Sequence, residues 1–468
     1  MSRKTILCLA VTAVLLGGCT LAPKYTRPAP PVPAEWPSGA AYTETTEAVP
    51  APAAWELQWR DFITDGGLRD IVEIALANNR DLRLAVLNVE KAEALYGIQR
   101  ASLLPSVNAT GSVYRERIPA DLSSSGTDMI SRKNSVAAGV SAWEIDFFGR
   151  LQSLKDEAWE QYLATDQDRR SARIMLVSAV ANTYFALAAD RENLKLATAT
   201  LEAQETTYNL VRKRHDVGLV SALILRQAQS QVEAARGNVA RYTQLAAQDE
   251  NALRLLAGSP LPPELLPESL TRIEPPVEIA SGLTSDPLLK RPDVLAAEHR
   301  LKAAHADIGA ARAAFFPRIS LSTTIGTASA ELSGLFRAGS AAWTFAPQIV
   351  LPIFDARTWS AYEVTKVARE MAVAQYEKTI QTAFRETADA LAVRGTVEQQ
   401  IAAQQALVEA LAEAFRLSNA RYEKGIDSYL GVLDAQRSLY SAQQGLISLR
   451  LARYANQVTL YKVLGGGV

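Results

Sequence analysis

Over two long stretches of the chain, roughly Leu151 to Arg214 and Thr358 to Tyr422, apolar side chains recur at intervals of three and four. Ile174, Val177, Ala181, Tyr184 and Ala188 set the pattern in the first, which predicts a continuous helix. About 65 residues of helix would extend about 100 Å, far more than a compact domain needs. Each stretch ends near a glycine, Gly218 or Gly425, and a second helical pattern follows. Leu225, Ala228, Val232, Ala235, Val239 and Tyr242 form a heptad seam after the first glycine. Val432, Ala435, Leu439, Ala442, Leu446 and Leu449 form the same seam after the second. Small residues in these seams predict close packing in a long antiparallel bundle.

Elsewhere the period changes from about 3.6 to two. Val107, Ala109, Gly111 and Val113 alternate with Asn108, Thr110, Ser112 and Tyr114, and Trp143, Ile145 and Phe147 alternate with Glu144 and Asp146. Further along, Ile319, Leu321 and Ile325 oppose Ser320, Ser322 and Thr324. Trp343, Phe345, Ile349, Leu351 and Ile353 then oppose Thr344 and Gln348. Such alternation over about ten residues suits a tilted transmembrane strand, and equally a soluble sheet with one wet face. Four strands cannot close around a lumen, which takes at least about eight, and an open edge is excluded from lipid. If these strands cross a membrane, several chains must pool them; three chains would supply twelve, although the pattern does not fix that number. The predicted fold is therefore mainly α with a small β part.

The two halves repeat. An offset of 212 superposes Asp81 on Asp293, Gly97 on Gly309, Arg100 on Arg312 and Pro105 on Pro317. An offset of 204 pairs Ala179 with Ala383 and Thr183 with Thr387. An offset of 207 pairs Arg214 with Arg421, Gly218 with Gly425 and Ser221 with Ser428. Three blocks in the same order establish an internal duplication. The expected organisation is a signal peptide over 1–18, a Pro-rich N-terminal strap over 19–60 and a first repeat over 61–258. A Pro-rich linker over 259–292 and a second repeat over 293–468 follow. The β-hairpins are expected at about 106–147 and 318–354, joined by loops Pro119 to Lys133 and Glu331 to Ala341. The helical hairpins turn at 218 and 425.

The first residues read as an address: Arg3 and Lys4, an apolar run from Thr5 to Leu16, then Leu16-Gly17-Gly18-Cys19. Ending on Cys predicts a bacterial lipobox, with Cys19 carrying diacylglycerol and an N-acyl chain; an ordinary signal with a chance Cys is the alternative. The only other cysteine, Cys8, lies inside the signal, which leaves no disulfide framework and no thiol metal site. No run of 18 apolar residues follows, so no membrane-spanning helix is expected. With 49 Lys plus Arg against 50 Asp plus Glu, no basic excess points to nucleic acid. His215, His299 and His305 lack metal-ligand spacing, and there is no phosphate-binding Gly-Lys motif and no coenzyme fingerprint. No cofactor and no catalytic constellation is expected.

Four segments carry a family resemblance: Trp143-Glu144-Ile145-Asp146-Phe147-Phe148-Gly149-Arg150, Ala311-Arg312-Ala313-Ala314-Phe315-Phe316-Pro317, Leu433-Asp434-Ala435-Gln436-Arg437-Ser438 and Leu464-Gly465-Gly466-Gly467. With the lipobox and the duplication, the chain resembles the outer-membrane factors of tripartite efflux systems, TolC-like and nearest the acylated OprM type. The resemblance implies a homotrimer in the outer membrane of a Gram-negative bacterium. Its twelve-stranded β-barrel, four strands per chain, would continue into a long periplasmic α-helical barrel. A belt of shorter helices would draw on Leu68 to Ala77 and Val397 to Phe415. It implies a periplasmic adaptor and an inner-membrane, proton-driven RND-type transporter as partners, with the duct itself passive.

Gly218 and Gly425 supply the free backbone that a helix stop needs, and Ser221 and Ser428 are placed to cap the next helix. As periplasmic tips these four residues would contact the adaptor. Leu430 and Asp434, four apart and off the Val432–Ala435–Leu439 seam, share a face that would look into a lumen. Three copies would form an apolar ring beside an acidic one that disfavours anions. The first repeat has Leu223 and Gln227 there, so one hairpin per chain contributes the acid. In the family these positions form the channel gate, with Arg421 and Tyr422 restraining neighbouring helices; Glu423 stands where some relatives carry a basic residue. Drug efflux, metal efflux and protein secretion use related ducts. Met129, Met175 and Met371 form no cluster for soft metals, which favours organic toxicants. A structural periplasmic coiled-coil lipoprotein, the rival of another class, would not need four amphipathic strands.

Overall fold

A computed structural model describes residues 20–42, 57–279 and 285–466. Cys19 and the signal sequence lie outside the described residues. Twelve principal elements follow in order: α1 (Trp59–Phe62), α2 (Gly66–Asn78), α3 (Arg80–Ala101), β1 (Val107–Ile118), β2 (Met129–Ile145), α4 (Arg150–Asp216), α5 (Ala222–Ala257), α6 (Pro292–Ala313), β3 (Arg318–Ser329), β4 (Ala341–Val350), α7 (Ala356–Glu423) and α8 (Tyr429–Val463). The bounds of α3 and α6 differ by 212 at both ends, and α4–α5 recur as α7–α8 at 206 to 207.

The chain divides into two compact units that cut across the two repeats. One comprises residues 20–29, 88–166 and 296–376; the other comprises 30–42, 57–87, 167–279, 285–295 and 377–466. Helices α3, α4, α6 and α7 each have residues in both.

The first unit holds a four-stranded antiparallel sheet in the order β1-β2-β3-β4. Register puts Val107, Ala109, Gly111 and Val113 opposite Val140, Ala138, Val136 and Asn134, and Ile319, Thr323 and Ile325 opposite Ile349, Phe345 and Trp343. One face is thus largely apolar, and Trp343 is 75% exposed on it, a solvation that water does not favour. The other face carries hydroxyls that bond across strands, Ser112 to Ser135 and Thr324 to Thr344, each at 2.7 Å. Between Val140 and Trp143 a bulge shifts the register, with Ala142 at φ 52° and its amide donating to Ser322 Oγ at 2.9 Å. Close by, β2 and β3 approach at glycines. A Cβ on Gly139 would overlap the Thr323 carbonyl oxygen and lie 2.6 Å from Thr324 Cα, and one on Gly326 would overlap the Val136 carbonyl oxygen.

The segment after β2 turns sheet into helix. Asp146 accepts from the backbone amides of Arg150 and Gln152, at 2.7 and 2.8 Å, capping α4. Arg150 donates two bonds of 2.8 Å to Glu144, and Phe148 stacks on Phe316 at 4.9 Å. That accounts for the Trp143–Arg150 motif: it is a cap plus a bidentate brace. The strap is seated from Thr20 onward, where Tyr25 and Arg27 both donate to Glu298 on α6.

The second unit is helical. Its core gathers Ile71 and Val72 of α2, Val180, Phe185 and Leu187 of α4 and Leu253 of α5 around Tyr461 of α8, which stacks on Phe62 at 4.4 Å. Asp65 caps α2 through the Leu68 amide and accepts from Tyr184 Oη. Ile174, Val177, Ala181, Tyr184 and Ala188 are all buried, as the spacing predicts.

Several expectations need correction. Residues 129–133 belong to β2, so the first connecting loop spans only 119–128, because alternation resumes directly after Asp128. Phe147, Leu351 and Ile353 fall beyond the strand ends, where Asp146 and the Pro352 neighbourhood stop the ladder. Val397 to Phe415 is not a shorter belt helix but the middle of α7, since no glycine or proline other than the tolerated Gly395 breaks the run. One window of α4 is apolar enough by composition to cross a membrane, but 61% of it is buried within the chain, as in a core helix.

Two carboxylate pairs are held between helices. In the second unit, burial, then Asp249, pushes Asp190 up to about 6. In the first, burial, then the charge of Asp307, pushes Glu157 up to about 7. Asp190 binds its proton more tightly in the fold than at its ordinary value of 3.8, so folding takes up a proton and stability rises as pH falls through about 6. After allowance for screening the gain is on the order of 1 kcal/mol for this half-buried group. Thermal melts of detergent-solubilised protein should give a higher midpoint at pH 5 than at pH 8. Asp190→Asn combined with Glu157→Gln should flatten the difference; an undiminished slope would rule these pairs out as its source.

Candidate functional site: the helical hairpin turns

Both hairpins of the second unit turn on the same backbone device. Gly218 (φ 78°) and Gly425 (φ 72°) adopt the left-handed conformation that a side chain disfavours. The amides of Leu219 and Ile426 bond back five residues to the carbonyls of Arg214 and Arg421, at 2.8 and 3.0 Å. Those of Gly218 and Gly425 bond back three, to His215 and Tyr422. This pairing ends α4 and α7 with their last carbonyls satisfied.

The helices restart differently. Ser221 Oγ accepts from the Ile224 amide at 3.5 Å, a weak cap. Ser428 makes no side-chain cap, contrary to expectation: its own carbonyl takes the Gly431 amide at 3.3 Å, which removes the donor its hydroxyl would have satisfied.

Beneath the turns lies a small core of Val211, Ala228, Tyr429, Val432 and Leu433, with Tyr422 packed on it. Tyr422 sits 5.2 Å from Tyr429 and 6.0 Å under the Arg214 guanidinium, so it links one hairpin to the other. Burial, then Tyr422, pushes the Tyr429 hydroxyl up to about 12, and its oxygen has no hydrogen-bond partner among the described residues. Arg421 is turned onto Asp427 in its own turn and holds that carboxylate below its usual range. Glu423 accepts from Asn419 at 2.9 Å.

Leu430 and Asp434 lie outside this core. Leu430 is 51% exposed, and Asp434 pairs with Arg437 at 2.9 Å on the exposed side of α8. The four residues named for the gate therefore fall into two groups: Arg421 and Tyr422 brace the turn, while Leu430 and Asp434 face away from packing. Asp427 was not singled out from sequence, and Arg437 entered only as part of the Leu433–Ser438 segment. A signal existed for Asp427, because the aligned first repeat has Val220 there and so lacks the ion pair. Val217, Leu219, Leu223 and Ile426 leave more than half their surface exposed around the turns, an apolar patch at chain reversals that solvation alone does not require.

The model of the family described as outer membrane efflux protein matches residues 71–259 and 283–466, most of the chain and both repeats. The chain belongs to the outer membrane efflux protein family. Members of this family are outer-membrane channels of efflux pumps in Gram-negative bacteria, transport ducts and not enzymes. The chain is 48% identical over 465 residues to the toluene efflux pump outer membrane protein TtgC of Pseudomonas putida, covering 99% of this chain and 96% of that protein. It is 43% identical over 457 residues to the outer membrane protein OprJ of Pseudomonas aeruginosa, covering 97% and 94%. The open-state MtrE outer membrane channel of Neisseria gonorrhoeae superposes with a TM-score of 0.84 at 36% identity, over 96% of this chain and 98% of that one.

Proposed function

We propose that three copies of this chain pool their strands into one twelve-stranded barrel and their helices into one duct, through which an efflux pump discharges drugs and other small toxic compounds. The observation that carries this reading is the open sheet: β1 and β4 have no partner on their outer edges among the described residues, while one sheet face is apolar. Unpaired backbone is not tolerated in lipid, so β1 of one copy pairs with β4 of the next.

Cys19 is the acylated anchor, carrying diacylglycerol and an N-acyl chain, and the seated strap beginning at Thr20 ties it to α6 and α4. The turns at Gly218 and Gly425, with Ser221 and Ser428, meet a periplasmic adaptor through the exposed Val217, Leu219 and Ile426. The adaptor connects to an inner-membrane, proton-driven RND-type transporter. The gate is a ring of Leu430 and Asp434 from each copy, with Arg421 and Tyr422 holding the turn that carries it.

Deletion of the gene followed by susceptibility testing against antibiotics, detergents, toluene and copper or silver salts tests the assignment. Sensitivity to the organic compounds should rise several-fold. Unchanged tolerance to all of them would remove the drug-efflux reading, and sensitisation to the metals alone would replace it with metal efflux.

A further inference from the structure

The register of the first hairpin sets two arginines directly opposite each other. Arg115 of β1 pairs with Arg132 of β2, and both are exposed. By alternation they share the face of Val107, Ala109, Gly111 and Val113, the apolar face of the sheet. One pair further toward the 119–128 loop, Arg117 is neutralised by Asp128. Glu116 lies on the opposite face, where it accepts from Tyr114 Oη at 2.6 Å. Among the described residues neither Arg115 nor Arg132 has a carboxylate partner.

Like charges directly opposite in a ladder stand about 5 Å apart and destabilise it. On a lipid-facing surface the cost grows, because no bulk water screens the pair. Arg115 is eight residues beyond Val107, about 27 Å along the strand at 3.4 Å per residue. At a tilt of about 40° that is about 21 Å along the membrane normal, near the upper rim of an apolar band about 25 Å tall. Guanidinium groups there reach the headgroup level, and each can donate two parallel bonds to a phosphate. One dianionic phosphate neutralises both.

The duplication supplies an internal comparison. The matching rung of the second hairpin is Thr327 opposite Ala341, small and uncharged. The sheet therefore tolerates a neutral rung at this level, and the double cation is confined to one hairpin per chain.

We propose that Arg115 and Arg132 form a binding site for the phosphorylated headgroup of an outer-leaflet lipid, one site per chain. It rests on the proposed barrel, in which this sheet face meets lipid and the 119–128 loop, at the strand ends away from α3 and α4, lies outside the cell.

Native mass spectrometry of the full-length protein, released from detergent, tests it with three probes: lipid A carrying its phosphates, the same lipid dephosphorylated, and inorganic phosphate. The wild type should retain the phosphorylated lipid, and R115Q/R132Q should retain at least about tenfold less, as expected for losing two charge-assisted bidentate contacts. Neither protein should retain the dephosphorylated lipid. If the double variant does not insert, R115Q and R132Q singly carry the test, each with about a threefold loss. Equal retention by wild type and variants would overturn the site. Inorganic phosphate binding as tightly as the lipid would overturn the lipid assignment. K133Q, a cation on the opposite face, separates the two readings. If it alone lowers retention, the face assignment fails, whereas wild-type conductance without any arginine effect sinks only the lipid site.

Discussion

Leu430→Ala combined with Asp434→Ala should raise the resting conductance of the reconstituted channel in planar bilayers several-fold, of the order of threefold, by removing an apolar and an acidic ring at one level. The two side chains are suited to close an aperture because neither is needed for packing. Leu430 is half exposed, and among the described residues Asp434 is engaged only by Arg437 one turn on. Val432 and Leu433, between them in sequence, are buried in the small core beneath the turn, so truncating the outward pair leaves that core in place. The double variant should therefore melt within about 1 kcal/mol of wild type, as surface substitutions do, while its conductance changes. Asp434→Asn alone should reduce preference for cations with a smaller effect on size, since it removes charge but not volume. Unchanged conductance and ion preference in the double variant would place the constriction elsewhere.

Gly139→Val should abolish assembly. Its Cβ would enter the space of the Thr323 carbonyl oxygen and Thr324 Cα, both backbone, so no rotamer change relieves the clash. Strand β2 would have to leave β3, and among the described residues β2–β3 is the one strand pairing that joins the two repeats within a chain. Overpacking of this kind costs on the order of 3 kcal/mol per chain, and an oligomer carries that cost in every copy. Blue-native electrophoresis of outer-membrane extracts should show the oligomer band missing, with Gly111→Val as the control. Gly111 has open space around its Cβ position and should assemble normally. Wild-type assembly of Gly139→Val would mean that the strands have more freedom to part than their register implies.

Much of this architecture was readable from residue periodicity. The seam through Ile174, Val177, Ala181, Tyr184 and Ala188 reports burial directly, because three-four spacing has one meaning over many turns. Strand faces were equally legible, since Trp343, Phe345 and Ile349 alternate without a break. Ends were harder. Leu351 and Ile353 continue the alternation past Val350, yet pairing stops there, and a partner strand is not visible from one strand's own residues. The Asp146 cap and the Glu144–Arg150 brace stood in plain sight as a motif, but their geometry depends on how strand leads into helix. Ser428 illustrates the limit at the turns: its position matches that of Ser221, and only the tighter first turn of α8 decides that its hydroxyl goes unused. Asp427 was missed because an ion pair across a turn has no period.

The pairing of Asn134 with Ser329 joins residues 195 apart in sequence, and every rung between β2 and β3 is comparably remote. During synthesis β2 emerges long before its inner partner exists. The first hairpin must therefore wait, with its apolar face uncovered, until more than a hundred and fifty further residues have been made. Closing so large a loop is slow, and a two-stranded ribbon has little stability by itself. The chain thus cannot finish its sheet until β4 has been made, about three-quarters of the way along, and until then the apolar face of the first hairpin needs cover.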